Sequence, residues 1–228
     1  MKFSIATLLA NFSDDKLVAP KAVEKKLDCH SDQSIRKLQI ALDALEKIGV
    51  LAKDKGRYRR LFEEVLVEAK LRCSSKGFCF AIQDSEGTED IYIRESHLSN
   101  AWNGDRVFVK IIKEGSRRRS PEGEVKLILE RANPSLLARI KQINGNNRES
   151  YYRAVPLDDR LLFELDLVPE GPDLADAIDH LVHVEVLRYP LGEKRPIGKV
   201  VQILGSDAEA ADDLDIVCCK HDLLRHFP

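Results

Sequence analysis

Lys76-Gly77-Phe78-Cys79-Phe80, then Asp90-Ile91-Tyr92-Ile93, then Ala101-Trp102-Asn103-Gly104-Asp105-Arg106-Val107, is the stretch whose reading decides the fold. Its side chains alternate with a period of two, as in strands whose successive residues face opposite sides. Phe78 and Phe80 lie two apart and share one face. Gly77, Cys79 and Ala81 take the other face and are small enough to pack inward. In the next strand Ile91 and Ile93 point inward and Tyr92 outward. Three rings are therefore expected on one exposed surface, with Arg72, Lys76 and Arg94 nearby. Each ring alone reads as ordinary core or interdomain packing. Together they read as a platform for single-stranded bases, each stacked base contributing about 1–3 kcal/mol.

Outward from this stretch the same period continues. Val65, Val67, Ala69 and Leu71 alternate ahead of it, and strands are expected at 104–111 and 125–129. Five short strands separated by turns predict a small closed barrel over residues 64–131. The run 115–120, with Arg117, Arg118 and Arg119, reads as a flexible basic loop that contacts phosphate or is simply solvated. Asn133-Pro134 breaks the pattern, and a similar succession begins again. Leu136, Ala138 and Ile140 alternate, and strands are expected at 151–155, 161–165, 181–186 and 197–204. A second barrel over 132–205 would be a weak repeat of the first. It lacks the paired aromatics. Tyr151, Tyr152 and Arg153 are its only contact candidates, and a scaffold role is the preferred reading.

Upstream the period changes to that of helices. Ile5, Leu8, Leu9 and Phe12 recur at helical spacing, and Pro20 opens a second helix carrying Val23 and Leu27. A third helix presents Ile35, Leu38, Leu42 and Leu45 on one face, with Ser31 or Asp32 as its cap and Gly49 at its end. Two short strands around Asp54-Lys55-Gly56-Arg57 follow. Three helices and a hairpin give the order of a winged helix over residues 1–63. Its third helix would display Arg36, Lys37 and Lys47, and its wing Lys53, Lys55, Arg57, Arg59 and Arg60. Phosphate contact by these cations is one reading. A protein-binding or spacer module with solvated cations is the other.

Composition bounds the alternatives. The 228 residues are 43% hydrophobic and 32% charged, within the globular range. Formal net charge is -2, so phosphate binding must come from local patches. Residues 1–64 carry 13 basic and 10 acidic side chains, whereas 205–228 carry 2 and 6. That step marks 206–228 as a linker-like unit. Five cysteines without a Cys-x-x-Cys pair argue against a disulfide framework or zinc ribbon and suggest reduced thiols in a cytoplasmic protein. Cys218, Cys219 and His221 lack a second ligand pair, so no metal site is expected there. His180 and His183 are placed on a strand, on opposite faces, with no role assigned. The opening ten residues read as an amphipathic helix rather than a signal peptide, because their apolar run is short and broken. No segment is long and apolar enough to span a membrane as a helix.

The aromatic stretch as a whole resembles the cold-shock domain, whose rings belong to a nucleic-acid face. The chain departs from that pattern with Arg94-Glu95 after the second motif and Leu71-Arg72 before the first. The tail motifs are Arg188-Tyr189-Pro190, Pro196 through Gly205, Asp215-Ile216, and Lys220-His221 to Phe227-Pro228. With the order of domains, they resemble the region ahead of the catalytic domain in the ribonuclease II / ribonuclease R family. The resemblance implies an α+β chain: a winged helix, then two five-stranded OB-fold (cold-shock) barrels. It also implies single-stranded RNA as partner, Arg72, Lys76, Phe78, Phe80, Tyr92 and Arg94 as contacts, and Mg2+ only in a catalytic domain that this chain lacks. The acidic residues 207–215 do not match the family's aspartate-rich motif, so the chain by itself is not expected to cleave RNA. Two other readings remain. One is a winged-helix regulator binding duplex DNA through Arg36 and Lys37. The other is a non-catalytic RNA chaperone or processing adaptor, and in either case the winged helix has a protein partner as an option.

Overall fold

A computed structural model describes residues 3–13, 15–61, 66–84, 87–144, 150–178 and 180–205. The readings on residues 206–228, including Cys218, Cys219 and His221, lie outside the described residues.

The chain is α+β. Helices α1 (Ile5–Leu9), α2 (Pro20–Lys26) and α3 (Asp32–Lys47) precede a hairpin of β1 (Leu51–Asp54) and β2 (Arg57–Arg60). Local chemistry sets these ends. Ser4 and Ser31 cap α1 and α3, each accepting from a backbone N–H three residues on, and Pro20 opens α2. The hairpin turns at Lys55 and Gly56, both with positive φ, as a two-residue loop of primed type requires. Leu8, Val23, Leu38, Leu42 and Leu45 are buried together, and the same cluster takes in Phe108 and Leu129 of the following barrel.

The first barrel is closed, in the order β3 (Leu66–Cys73), β4 (Cys79–Ile82), β5 (Ile91–Ile93), β7 (Glu122–Glu130), β6 (Arg106–Lys113). The second is closed as β10 (Leu165–Leu167), β12 (Ile197–Gly205), β11 (Leu181–Arg188), β8 (Ser135–Asn144), β9 (Ser150–Pro156). Closure removes exposed edges, and the inward residues alternate as the pleat demands. Ala81, Ile91, Ile93, Val107 and Val109 are fully buried in one barrel, and Ala138, Ala154, Leu165, Val184 and Val200 are buried in the other.

The repeat is far stronger in structure than in sequence. β6 and β7 pair with register shifts at Arg106/Val107, Phe108/Val109 and Ile111/Lys113. β11 and β12 pair with shifts at Leu181/Val182, His183/Val184 and Val186/Arg188, the same places along the ladder. In the first barrel Ile93 of β5 lies opposite Gly123 in parallel, and in the second Leu167 of β10 lies opposite Gly198. A Cβ on Gly123 would fall 2.4 Å from Val109 Cγ1, and one on Gly198 2.6 Å from Val184 Cγ1. Each glycine therefore lets a strand cross close over the equivalent valine.

Four expectations need correction. The strand expected at 161–165 is β10, Leu165–Leu167. Leu161 is buried but belongs to a turn, closed by its N–H on the Asp158 carbonyl. Only His183 lies on a strand, while His180 precedes it. The run 115–120 forms a tight turn, with Ser116 and Arg119 exchanging two backbone hydrogen bonds of 2.8 and 3.1 Å. The second barrel has its counterpart, in which Leu191 and Lys194 exchange bonds of 3.2 and 3.1 Å. Finally, Cys73 and Cys79 are not reduced thiols but a disulfide. Cys73 follows Leu71 on the inward face of β3, and Cys79 leads the inward face of β4. The turn between them brings the two sulfurs face to face across the ladder.

The chain divides into two compact units. One comprises Met1–Lys70, Ala81–Ile93 and Asp105–Glu130, and the other Leu71–Phe80, Arg94–Gly104 and Arg131–Pro228.

Candidate nucleic-acid interface

Phe78 and Phe80 flank Cys79 at the start of β4, and strand parity puts both rings on the face opposite the disulfide. Their centroids are 6.2 Å apart and their planes 86° apart, an edge-to-face pair. Both rings are half-buried rather than fully exposed, as is Tyr92 on β5. Each of these rings is therefore set into the surface rather than standing clear of it. β5 is the neighbour of β4 in the barrel, and Ile91 and Ile93 on either side of Tyr92 are fully buried. Arg72, Lys76 and Arg94 are exposed, as expected. Lys76 rides on the turn between β3 and β4, where its N–H donates to Ser74 Oγ at 3.2 Å. Gly77 in that turn has φ of +85°, a conformation that favours glycine.

The winged-helix cations divide into two kinds. Arg36, Lys37 and Lys47 on α3, and Lys55, Arg57 and Arg59 on the hairpin, are exposed. Lys53 is committed within the domain. Its ammonium lies over the Tyr58 ring at 5.3 Å and within 3.9 Å of Asp43 and Glu46. The Tyr58 hydroxyl, and then those carboxylates, hold its pKa above the ordinary value. Arg60 is half-buried, with its guanidinium 5.8 Å from the centre of the Phe108 ring. Arg60 therefore helps seat the hairpin on the first barrel, which sequence reasoning could not see.

In the second barrel Arg153 is a scaffold cation, not an open contact. Its Nε donates to Asp166 at 3.0 Å and its Nη1 to Glu164 at 3.2 Å. Its Nη2 donates to the Tyr151 hydroxyl at 3.1 Å, and the guanidinium lies 5.1 Å from that ring's centre. Burial works to lower the Arg153 pKa, but the two carboxylates outweigh it and raise it. Burial likewise works to raise the pKa of Glu164, yet Arg153 and Lys141 hold it below its ordinary value. By the repeat, Asp166 occupies the place that Tyr92 has in the first barrel. The second barrel thus carries an ion-pair clamp where the first carries a ring.

Sequence reasoning missed Trp102. It is buried, stacked on Phe163 with centroids 3.9 Å apart, and 4.9 Å from Tyr189. Arg131 lies over the Tyr189 ring at 4.3 Å and donates to the Asn100 carbonyl at 2.9 Å. The Tyr189 hydroxyl donates to the Asn133 carbonyl at 2.9 Å. No local period flags Trp102, because its partners lie far along the chain. Among the described residues, no three His, Cys, Asp or Glu side chains are grouped to hold a metal. Among them, too, no helix is long and apolar enough to cross a membrane.

Three family models match successive parts of the chain. Residues 6–61 match a family described as cyanobacterial RNase R, N-terminal domain. Residues 69–128 match the ribonuclease B OB domain, and 155–228 a cold shock domain. The acetazolamide conferring resistance protein zam of Synechocystis sp. is 65% identical over 98% of this chain and 28% of its own length. Ribonuclease R of Thermotoga maritima is 31% identical over 92% of the chain and 29% of its own length. The chain thus spans under a third of the length of either of these two relatives. Mycoplasma genitalium RNase R, solved in complex with ribose methylated single-stranded RNA, superposes with a TM-score of 0.59 at 16% identity. That match covers 71% of this chain and 25% of the other. Yeast Ssd1, a pseudonuclease, superposes with a TM-score of 0.55 at 16% identity, covering 82% and 26%.

Proposed function

Because the chain belongs to the ribonuclease II / ribonuclease R family, as a counterpart of its N-terminal region, we propose that it captures single-stranded RNA and guides it toward a 3′-5′ exoribonuclease domain. An RNA-binding role is the common ground of its OB and cold-shock domains. The observation that carries the finer reading is the Phe78–Phe80 ring pair on β4, with Arg72, Lys76 and Arg94 exposed close by in sequence. Rings stack on any base, and exposed cations attract any phosphate. Binding of this kind tolerates different sequences and weakens with salt.

Hydrolysis and its magnesium would reside in the catalytic part of the longer relatives. No step of that chemistry is assigned to these residues, and the work is placed in the cytoplasm. The exposed cations of α3 and the hairpin would add phosphate contacts to long or structured substrates. That module would alternatively dock a protein, and a non-catalytic adaptor is the second reading, yeast Ssd1 being a pseudonuclease of similar fold.

The test is a titration of the chain against single-stranded RNA and duplex DNA of equal length, beside the variant Phe78→Ala, Phe80→Ala, Tyr92→Ala. The expected result is preference for RNA, abolished in the variant while the fold survives by circular dichroism. Tighter binding to duplex DNA, untouched by the three changes, would move the function to the winged helix.

A further inference from the structure

We propose that the Cys73–Cys79 bridge is a reversible thiol–disulfide exchange site, opened by a dithiol reductant, and that its state sets the order of the RNA-facing turn it closes. The influence on RNA rests on the function proposed above; the exchange site itself does not. Two observations lead there. First, the bridge spans only six residues, at the root of the turn that carries Lys76 and Phe78. That turn is already closed by two backbone hydrogen bonds, from Ser74 N–H to the Phe78 carbonyl at 3.0 Å and from Gly77 N–H to the Ser74 carbonyl at 3.2 Å. The barrel is closed by its strand ladders, so opening the bridge releases a turn rather than the fold. A loop this short also gains little from cross-linking compared with a long one.

Second, both cysteines line an open crevice of about 280 Å³, together with Gly77, Glu95, Leu98 and Leu162. A thiolate therefore has a route to the sulfurs. Gly77 contributes no side chain to obstruct it, and Cys73 is the less buried partner, 9% exposed against 1% for Cys79. The cytoplasmic setting proposed above, where thiols are kept reduced, would in addition have little use for a permanent bridge. In such a compartment disulfides are transient or redox-sensing.

The exchange balances in two steps. One thiolate of the dithiol attacks Cys73 Sγ, the S–S bond breaks, and Cys79 leaves as a thiolate that takes up a proton. The second thiol of the reductant loses its proton and attacks the mixed disulfide, releasing Cys73 as a thiolate that is protonated in turn. The dithiol loses two electrons and becomes a cyclic or internal disulfide, and the cysteine pair gains them.

The experiment uses the full chain, air-oxidised and then treated with dithiothreitol under native conditions. Free thiols are alkylated, and the 73–79 peptide is mapped separately from those of Cys29, Cys218 and Cys219. Amide exchange across 74–78 and affinity for single-stranded RNA are read in both states. The expected result is a linked peptide that opens without unfolding, exchange in 74–78 faster by about tenfold, and RNA binding weaker by about threefold or more as the turn loses preorganisation. The double variant Cys73→Ser, Cys79→Ser should match the reduced chain and ignore the reductant. Thiols that remain alkylatable after oxidation would overturn the proposal. So would a bridge that opens only on unfolding, or exchange in 74–78 that is equal in both states. If neither state binds RNA while exchange still responds, the capture function falls and the exchange site stands. If both states bind RNA equally, the coupling to RNA falls.

Discussion

Replacing Phe78 or Phe80 with alanine removes one ring of an edge-to-face pair and one stacking surface together. Each change should weaken single-stranded RNA binding by about 1–3 kcal/mol, read as the shift in Kd at fixed salt. Tyr151→Ala, on the clamped face of the second barrel, should weaken it much less. Glu164 makes a different, pH-dependent contribution. Its carboxyl is held below the ordinary 4.5 despite partial burial, because Arg153 and Lys141 favour its charged form. A depressed acid stabilises the fold at and above its unfolded pKa, and that contribution is lost as pH falls through the folded value. Urea midpoints measured between pH 3 and pH 7 should therefore fall more steeply in acid for the parent than for Glu164→Gln. Parallel curves would remove Glu164 from the clamp.

Among the elements, the glycines at the close crossings are the most sensitive points. Gly123→Ala and Gly198→Ala each force a Cβ to within 2.4–2.6 Å of a buried valine methyl. Overpacking of this kind costs about 1–3 kcal/mol, which thermal or urea unfolding would register as a loss in both variants. A stable Gly198→Ala alone would mean that β12 can shift outward, and that the two crossings are not equivalent. The hairpin of the winged helix divides its labour between seating and display. Arg60 packs toward Phe108, whereas Arg57 and Arg59 are exposed. Lys55→Gln with Arg57→Gln, both exposed on the hairpin, should leave stability unchanged and reduce affinity for duplex-containing RNA. Equal affinity in parent and variant would point this module toward a protein partner.

For the whole molecule, a net charge of -2 makes any RNA affinity the work of patches. Changing Arg72, Lys76 and Arg94 to glutamine removes three exposed cations. If all three meet phosphate, the slope of log affinity against log salt should flatten by about 2, at roughly 0.7 per phosphate contact on a single strand. An unchanged slope would mean that other cations carry the electrostatics, with the turn at Arg117, Arg118 and Arg119 next to be tested.

The sequence by itself determined the class of the helices, the hairpin and most of the barrel strands, because local chemistry decides it. The caps at Ser4 and Ser31, Pro20 at a helix start, and the Lys55-Gly56 turn need only neighbours in the chain. The alternation around Phe78 and Ile91 likewise settled which residues face inward. Even the disulfide was legible in principle. Ala69, Leu71 and Cys73 share the inward parity of one strand, Cys79 and Ala81 that of the next, and a short turn joins them. A count of cysteines concealed it, since an odd total says nothing about which two meet. The tertiary structure alone decided which cations are committed and how deep the rings lie. Arg153 and Arg60 look like any other basic residue until Glu164, Asp166 and Phe108 are brought beside them. Trp102 finds Phe163 and Tyr189 only when distant segments converge. Contacts between residues far apart in the chain carry no local period, so packing had to reveal them.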